Sequence, residues 1–140
     1  MAVPAVLRTT RTAQLAAPVA TAFVVAAGAA LLGAVSPEEP GHYPVCPLYA
    51  VTGLYCPGCG GLRAVHALVH GDLGTAAHRN LLVVLFAPVA VWAWGAWLRR
   101  RLGRRVPARV PPVWLPAALF GVLVLFAVLR NLPGFGLLAP

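Results

Sequence analysis

Residues 13–35, AQLAAPVATAFVVAAGAALLGAV, decide the fold because this run of 23 residues contains no charge. At 1.5 Å per residue, a helix of that length crosses a hydrocarbon core of about 30 Å. A signal peptide is the alternative interpretation, with Arg8 and Arg11 as its basic region and Ala27-Gly28-Ala29 as its cleavage site. Since the run exceeds the roughly 7–15 apolar residues of a signal core, we expect an uncleaved anchor.

Two further apolar runs follow, Leu81–Leu98 and Val113–Leu129. Both are near the lower length limit for a span, so we expect them to extend into their flanks, over about 78–98 and 113–130. Pro88 lies inside the second run, where it removes one backbone hydrogen bond and predicts a kink.

Composition agrees with a membrane location, because 60% of the 140 residues are hydrophobic and only 10% are charged. So few charges cannot cover the surface of a water-soluble domain. The chain is long enough for one domain only. We therefore predict an all-α fold, a single membrane domain over residues 1–140 with three transmembrane helices and one short interfacial helix in a long outer loop.

The net charge of +8 comes from arginine, since the chain has no lysine. Basic residues are enriched in cytoplasmic loops. The most basic loop and the N-terminus are therefore expected on the cytoplasmic side of a cell (inner) membrane, with residues 36–80 and the C-terminus outside. The basic stretch lacks the interleaved aromatic residues of a nucleic-acid groove, so no nucleic-acid partner is expected. Six arginines form it: Arg99, Arg100, Arg101, Arg104, Arg105 and Arg109.

The outer segment, residues 36–80, contains all three cysteines. Leu62–Val69 has no helix breaker and predicts the interfacial helix, which Gly71 ends as a C-terminal cap. Cys59 precedes the N-terminus of this helix, where the helix dipole is expected to lower its thiol pKa.

Three interpretations of Cys56-x-x-Cys59 stay open. An oxidising outer face favours a structural disulfide with one cysteine left over. A metal site for Zn²⁺ or another thiophilic ion would take Cys46 as third ligand and one of His42, His66 and His70 as fourth. A redox-active pair is the third interpretation. For His66 and His70, hydrogen bonding at the membrane interface is the plainer expectation.

At this point the chain resembles the DUF2752 family of small bacterial membrane proteins, from about residue 46 to 133. The resemblance implies a bacterial inner-membrane protein with the cysteine segment as its signature, and it implies no settled activity. It rests on Cys46-Pro47, Thr52-Gly53-Leu54-Tyr55-Cys56-Pro57-Gly58-Cys59-Gly60, Arg63-Ala64, Gly71-Asp72, Asn80 and Arg130-Asn131-x-Pro133.

Two departures from the family pattern argue against a demanding active site. Gly61-Leu62-Arg63 stands where the family reads Leu-Thr-Arg, so a hydroxyl that could cap the helix is missing. Leu81 follows Asn80 where members tend to have Asn-Pro.

The topology places the end of the third span beside the cysteine segment. We therefore expect Arg130 or Arg63 to pair with Asp72, and Asn131 or Asn80 to cap a nearby helix end. Snorkelling of the arginine to lipid phosphates is the alternative.

The function predicted from these residues is non-enzymatic. The cysteine segment would be a structural or metal-binding element of a multi-pass membrane protein, whose partners are the lipid bilayer and a membrane protein or a second copy of the chain. The alternative is a membrane thiol–disulfide oxidoreductase that uses Cys56 and Cys59, with Arg63 or His66 stabilising the thiolate. Ion transport is not supported, because none of the three apolar runs contains a charged residue.

Overall fold

The computed structural model describes residues 11–39, 41–104, 106, 111–135 and 138. Within them the fold is all-helical, with no strand. Arg8, Arg105 and Arg109 of the predicted basic pattern lie outside the described residues. The helices are α1 Arg11–Ala34, α2 Pro47–Thr52, α3 Gly61–Val69, α4 Leu73–Arg79, α5 Leu81–Arg101 and α6 Leu115–Leu129.

Two helices are long and apolar enough to cross a membrane, Gln14–Ala34 within α1 and Leu81–Arg101, by length and composition. Only 6% of the first apolar window and 11% of the second are buried inside the protein. A core helix of a soluble protein would bury most of its apolar side chains, whereas these two helices leave most of theirs exposed.

The third predicted span is shorter than expected. Helix α6 has 15 residues, below the length of a full span, because the chain before Leu115 forms a turn rather than a helix. Three spans are therefore not established by length, although α6 is apolar throughout.

The outer segment contains three short helices rather than the single interfacial helix that was predicted. Pro47 starts α2, where its missing N–H costs nothing, and Gly53 ends it with a φ of +72°. Helix α3 begins at Gly61, and Gly71, with a φ of +78°, follows its end as predicted. Asp72 starts the unpredicted α4.

The predicted start of the second span was also wrong. Residues 78 and 79 belong to α4, and α5 begins only at Leu81 because Asn80 interrupts the helix and accepts a hydrogen bond from the Val83 N–H. Helix α5 continues through Pro88 and ends at Arg101, three residues beyond the predicted end.

The packed core lies at the cysteine end of the molecule. There α3 packs against α4, the end of α1 and the start of α5, and α4 also packs against α5. Small side chains permit this close packing: Ala64, Ala67 and Ala76 are buried. Gly33 of α1 lies so close to Val69 of α3 that an added Cβ would meet Cγ1 of Val69 at 3.0 Å.

Candidate metal centre

The three cysteines lie together although they come from two loops. The Sγ atom of Cys56 is 3.5 Å from that of Cys46 and 3.3 Å from that of Cys59. All three sulfurs are within 4.8 Å of one another. Each side chain is partly buried, and the contacts are those of free thiols, since a disulfide bond is about 2.05 Å long.

A tight turn brings Cys56 and Cys59 together. The Cys59 N–H donates to the Cys56 carbonyl at 3.1 Å, and the Gly61 N–H donates to the Gly58 carbonyl at 2.9 Å. Gly60 has a φ of +74°, a conformation that glycine adopts without steric cost. The chain can therefore pass directly from Cys59 into α3.

Asn80 holds this turn from α5. Its side chain is 1% exposed, and its Nδ2 donates to the carbonyl oxygens of Pro57 at 2.9 Å and of Cys59 at 3.0 Å. Its Oδ1 accepts the Val83 N–H at 3.3 Å, which confirms the predicted helix cap. One side chain thus starts α5 and fixes the cysteine turn.

The end of α6 holds the same turn. Arg130 Nη1 donates to the carbonyl oxygens of Cys56 at 2.9 Å and of Cys59 at 3.1 Å. Asn131 pairs with the backbone of Tyr55, accepting its N–H at 2.9 Å and donating to its carbonyl at 2.9 Å. Asn80, Arg130 and Asn131 together form a polar clamp on the cysteine loop.

The predicted pairing of Asp72 with Arg63 or Arg130 was wrong. Asp72 Oδ1 accepts the Thr75 N–H at 2.9 Å and caps α4, because free amides of that helix lie within reach of its carboxylate. Arg63 instead lies near Glu38, with Nε 3.7 Å from Oε2. Glu38 also pairs with Arg79 at 2.9 Å, an ion pair that the sequence did not suggest.

The histidines proposed as a fourth ligand are engaged elsewhere. His66 Nδ1 contacts the Leu32 carbonyl oxygen at 2.6 Å, and His70 Nδ1 contacts the His66 carbonyl oxygen at 2.8 Å. His42 pairs with Glu39 at 3.3 Å. Over the described part of the chain, the group with metal-ligand geometry consists of the three cysteines alone.

The thiol pKa values differ from the expectation for a helix N-terminus. Burial raises the pKa of the Cys59 thiol to about 12, and its contacts with the Cys56 and Cys46 thiols add to the increase. The pKa of Cys46 is lowered to about 7, first by the Tyr49 backbone N–H in the first turn of α2 and then by the neighbouring thiols. The favoured thiolate position is therefore Cys46 rather than Cys59.

An open pocket of about 620 Å³ gives access to the cluster. All three cysteines line it, together with the Glu38 and Arg63 side chains. Tyr49 and Tyr55 also line it, and their rings stack with centroids 4.8 Å apart. A small ligand can therefore reach the sulfurs from outside without a change of fold.

These features define a small helical protein with two helices long enough to span a membrane and a three-cysteine cluster held by a polar clamp. Residues 46–94 match the sequence model of the family described as "Protein of unknown function (DUF2752)", which confirms the resemblance carried by the cysteine motif. The matched segment includes the cysteines and Asn80, whereas Arg130 and Asn131 lie beyond it. No curated protein and no solved structure matches the chain.

Proposed function

We propose that Cys46, Cys56 and Cys59 bind a thiophilic metal ion such as Zn²⁺, as a non-enzymatic structural element of a membrane protein. The observation that carries the proposal is the approach of three sulfurs to within 4.8 Å of one another. In a tetrahedral zinc site with Zn–S bonds of about 2.3 Å, sulfurs are about 3.8 Å apart. The sulfur contacts of 3.3 Å and 3.5 Å need only a small expansion to reach that spacing.

The fourth coordination position would face the open pocket. Closed structural zinc sites have four protein ligands, whereas zinc sites with three protein ligands keep the fourth position for water or an incoming ligand. Because His66 and His70 contact backbone carbonyls through Nδ1, a water molecule or a donor group of a protein partner is the better fourth ligand. The pocket leaves room for either.

A bound ion would join two segments of the outer loop. Cys46 precedes α2, whereas Cys56 and Cys59 flank the turn before α3. The polar clamp already ties that turn to α5 and α6. The ion would therefore extend the clamp to α2 and fix the outer surface on which a membrane protein partner or a second copy could dock.

We also propose that α6 completes a three-span arrangement in a cell (inner) membrane. The contacts between Arg130 and the cysteine turn put the C-terminal end of α6 beside the outer segment. The opposite end of α5, away from the cysteine turn, has three arginines in its last turn: Arg99, Arg100 and Arg101. By the enrichment of basic residues inside, the arginine loop and the N-terminus would be cytoplasmic, with the cysteine segment and the C-terminus outside.

The test of the metal site begins with the full chain purified in detergent, stripped with a chelator and reduced. Titration with Co²⁺ reports thiolate ligation through the sulfur-to-cobalt charge-transfer band in the near ultraviolet. We expect one equivalent of Co²⁺, displaced by Zn²⁺. Cys46→Ser, Cys56→Ser and Cys59→Ser should each reduce the band and weaken binding.

His66→Ala and His70→Ala are the matched controls, because both residues were candidate ligands that lie outside the cluster. They should leave the charge-transfer band unchanged. A second assay can contradict the metal site. It counts the free thiols of protein that is taken directly from its membrane and denatured with chelator and without reductant. Three free thiols support the metal site, whereas one would indicate a disulfide and overturn it.

A further inference from the structure

Arg130 is a buried cation whose hydrogen bonding is incomplete. It directly follows α6 and is 2% exposed. Its Nη1 atom donates to the carbonyls of Cys56 and Cys59. Its Nε and Nη2 atoms are buried and have no hydrogen-bond partner among the described residues. A buried charge in such a state is costly unless an opposite charge lies nearby.

The acidic side chains do not supply that opposite charge. There are three of them, and each has another partner: Glu38 pairs with Arg79, Glu39 with His42, and Asp72 caps α4. The rings of Phe126 and Tyr55 lie 5.0 Å and 5.8 Å from the guanidinium carbon of Arg130. These rings offer a weak attraction that does not neutralise a full charge.

The Cys56 and Cys59 thiols, which belong to the residues whose carbonyl oxygens Arg130 holds, can become anionic, and their charge would favour the Arg130 cation. A divalent ion bound by three thiolates forms by loss of three thiol protons to solvent and has a net charge of −1. A neutral water as fourth ligand leaves that charge unchanged. The complex would therefore match the single positive charge of Arg130.

We infer that Arg130 is the counter-charge of an anionic metal–tris(thiolate) centre, and that its charge favours binding of a divalent ion by three cysteines rather than two. This inference rests on the proposed function. A divalent ion on two thiolates is neutral and leaves Arg130 unpaired, so the charge of Arg130 favours ligation of a divalent ion by all three cysteines. Arg130 thus acts as a positioning residue and is not a ligand.

The first test compares Co²⁺ binding to wild type, Arg130→Met and Arg130→Lys in detergent. Removing the charge should weaken Co²⁺ binding by about 10–100-fold, as loss of a supporting group around a metal commonly does. It should also reduce the charge-transfer intensity per bound Co²⁺ by about one third, as the centre changes from three thiolates to two. Arg130→Lys keeps the charge and should keep the wild-type intensity.

Arg101→Met is the matched control, because it removes one arginine charge from an exposed position at the C-terminal end of α5, away from the cysteine turn. It should retain the three-thiolate intensity. Equal intensity per Co²⁺ in Arg130→Met and wild type would overturn the inference while leaving the metal site intact. Absence of the band in wild type would overturn the proposed function and the inference with it.

A second measurement keeps Arg130 in place and does not depend on the folding of its variants. Cys46→Asp supplies an anionic ligand, and Cys46→His supplies a neutral one. Although imidazole is a good ligand for Co²⁺, the aspartate variant should bind Co²⁺ more tightly because only its complex has the charge that matches Arg130. Tighter binding by the histidine variant would contradict the inference.

Discussion

Asn80 and Arg130 donate to the same acceptor, the carbonyl oxygen of Cys59, at 3.0 Å and 3.1 Å. Asn80 starts α5, and Arg130 follows the end of α6. The cysteine turn is therefore held from two helices at one backbone atom. This shared contact makes the position of Cys59 depend on both helices and leads to the predictions below.

Asn80→Ala should destabilise the protein by about 1–3 kcal/mol, because the helix cap of α5 is lost and two carbonyl oxygens lose a buried donor. Asn80→Asp is the companion variant, since it keeps the cap oxygen but replaces the donor with a charged oxygen that faces the two carbonyl oxygens. Thermal unfolding in detergent, followed by circular dichroism, should rank wild type above both variants. Wild-type stability in Asn80→Ala would show that the clamp does not stabilise the fold.

Gly33→Val should loosen the contact between α1 and α3 at a cost of about 1–3 kcal/mol, because a Cβ would meet Val69 Cγ1 at 3.0 Å. Val69 cannot easily turn away, since β-branched side chains have restricted rotamers in helices. The double variant Gly33→Val with Val69→Ala should recover part of the loss in the same unfolding measurement.

Gly28→Val in α1 is the control for that experiment, because a Cβ added at Gly28 would have no neighbouring atom within 4 Å among the described residues. It should change stability far less than Gly33→Val. Equal effects at the two glycines would mean that helix propensity, rather than the α1–α3 contact, determines the result.

In metal-free, reduced protein, Cys46 should be alkylated fastest and Cys59 slowest. The thiolate is the reactive form, and its fraction rises as pH increases through the pKa. The rate at Cys46 should therefore reach half its maximum near a pKa of about 7, whereas Cys59, with a pKa raised to about 12, should react slowly across the neutral range. Peptide mass spectrometry after timed iodoacetamide treatment measures each rate.

Added Zn²⁺ should protect all three cysteines in the same assay, since a metal-bound sulfur is a poorer nucleophile. Protection of Cys56 and Cys59 with continued modification of Cys46 would exclude Cys46 as a ligand.

The three-span arrangement predicts that the two ends of α6 lie on opposite sides of the membrane. An epitope inserted at Gly103 should be detected by antibody only after the cell (inner) membrane is permeabilised. Epitopes at Gly41 and Gly134 should be detected while that membrane is closed and only the outer barrier of the cell has been opened. Detection of Gly103 and Gly134 on the same side would reduce the arrangement to two spans.

The sequence by itself was enough to predict the two long apolar helices, α1 and α5, and the short helix α3. Their signals are local: uncharged length for α1 and α5, and for α3 an unbroken run followed by Gly71. The same kind of local signal could have revealed α2 and α4, since Pro47 before an apolar run and Asp72 three residues before Thr75 are both helix-start patterns. These two helices were not predicted, because the expected outer loop contained only one short interfacial helix.

The cysteine motif was also enough for the family resemblance, which the family model matches over residues 46–94 rather than as far as residue 133. It was enough for the set of candidate ligands as well. The sulfur group contains all three cysteines, as the metal interpretation requires, but the choice of histidine could not be made from spacing. His66 contacts the carbonyl oxygen of Leu32 in α1, and His70 contacts that of His66 one turn earlier in α3. A sequence does not state which acceptor a side chain will reach.

Only the tertiary structure decided what holds the cysteine turn. The sequence expectation paired Arg130 or Arg63 with Asp72 on charge alone, but the amide of Thr75 is closer to Asp72 than either arginine is to that carboxylate in the folded chain. Arg130, Asn131 and Asn80 instead bind backbone atoms of residues 55–59. Backbone carbonyls are the same at every position, so their side-chain partners depend on where distant helices meet, and that is a property of the packed fold.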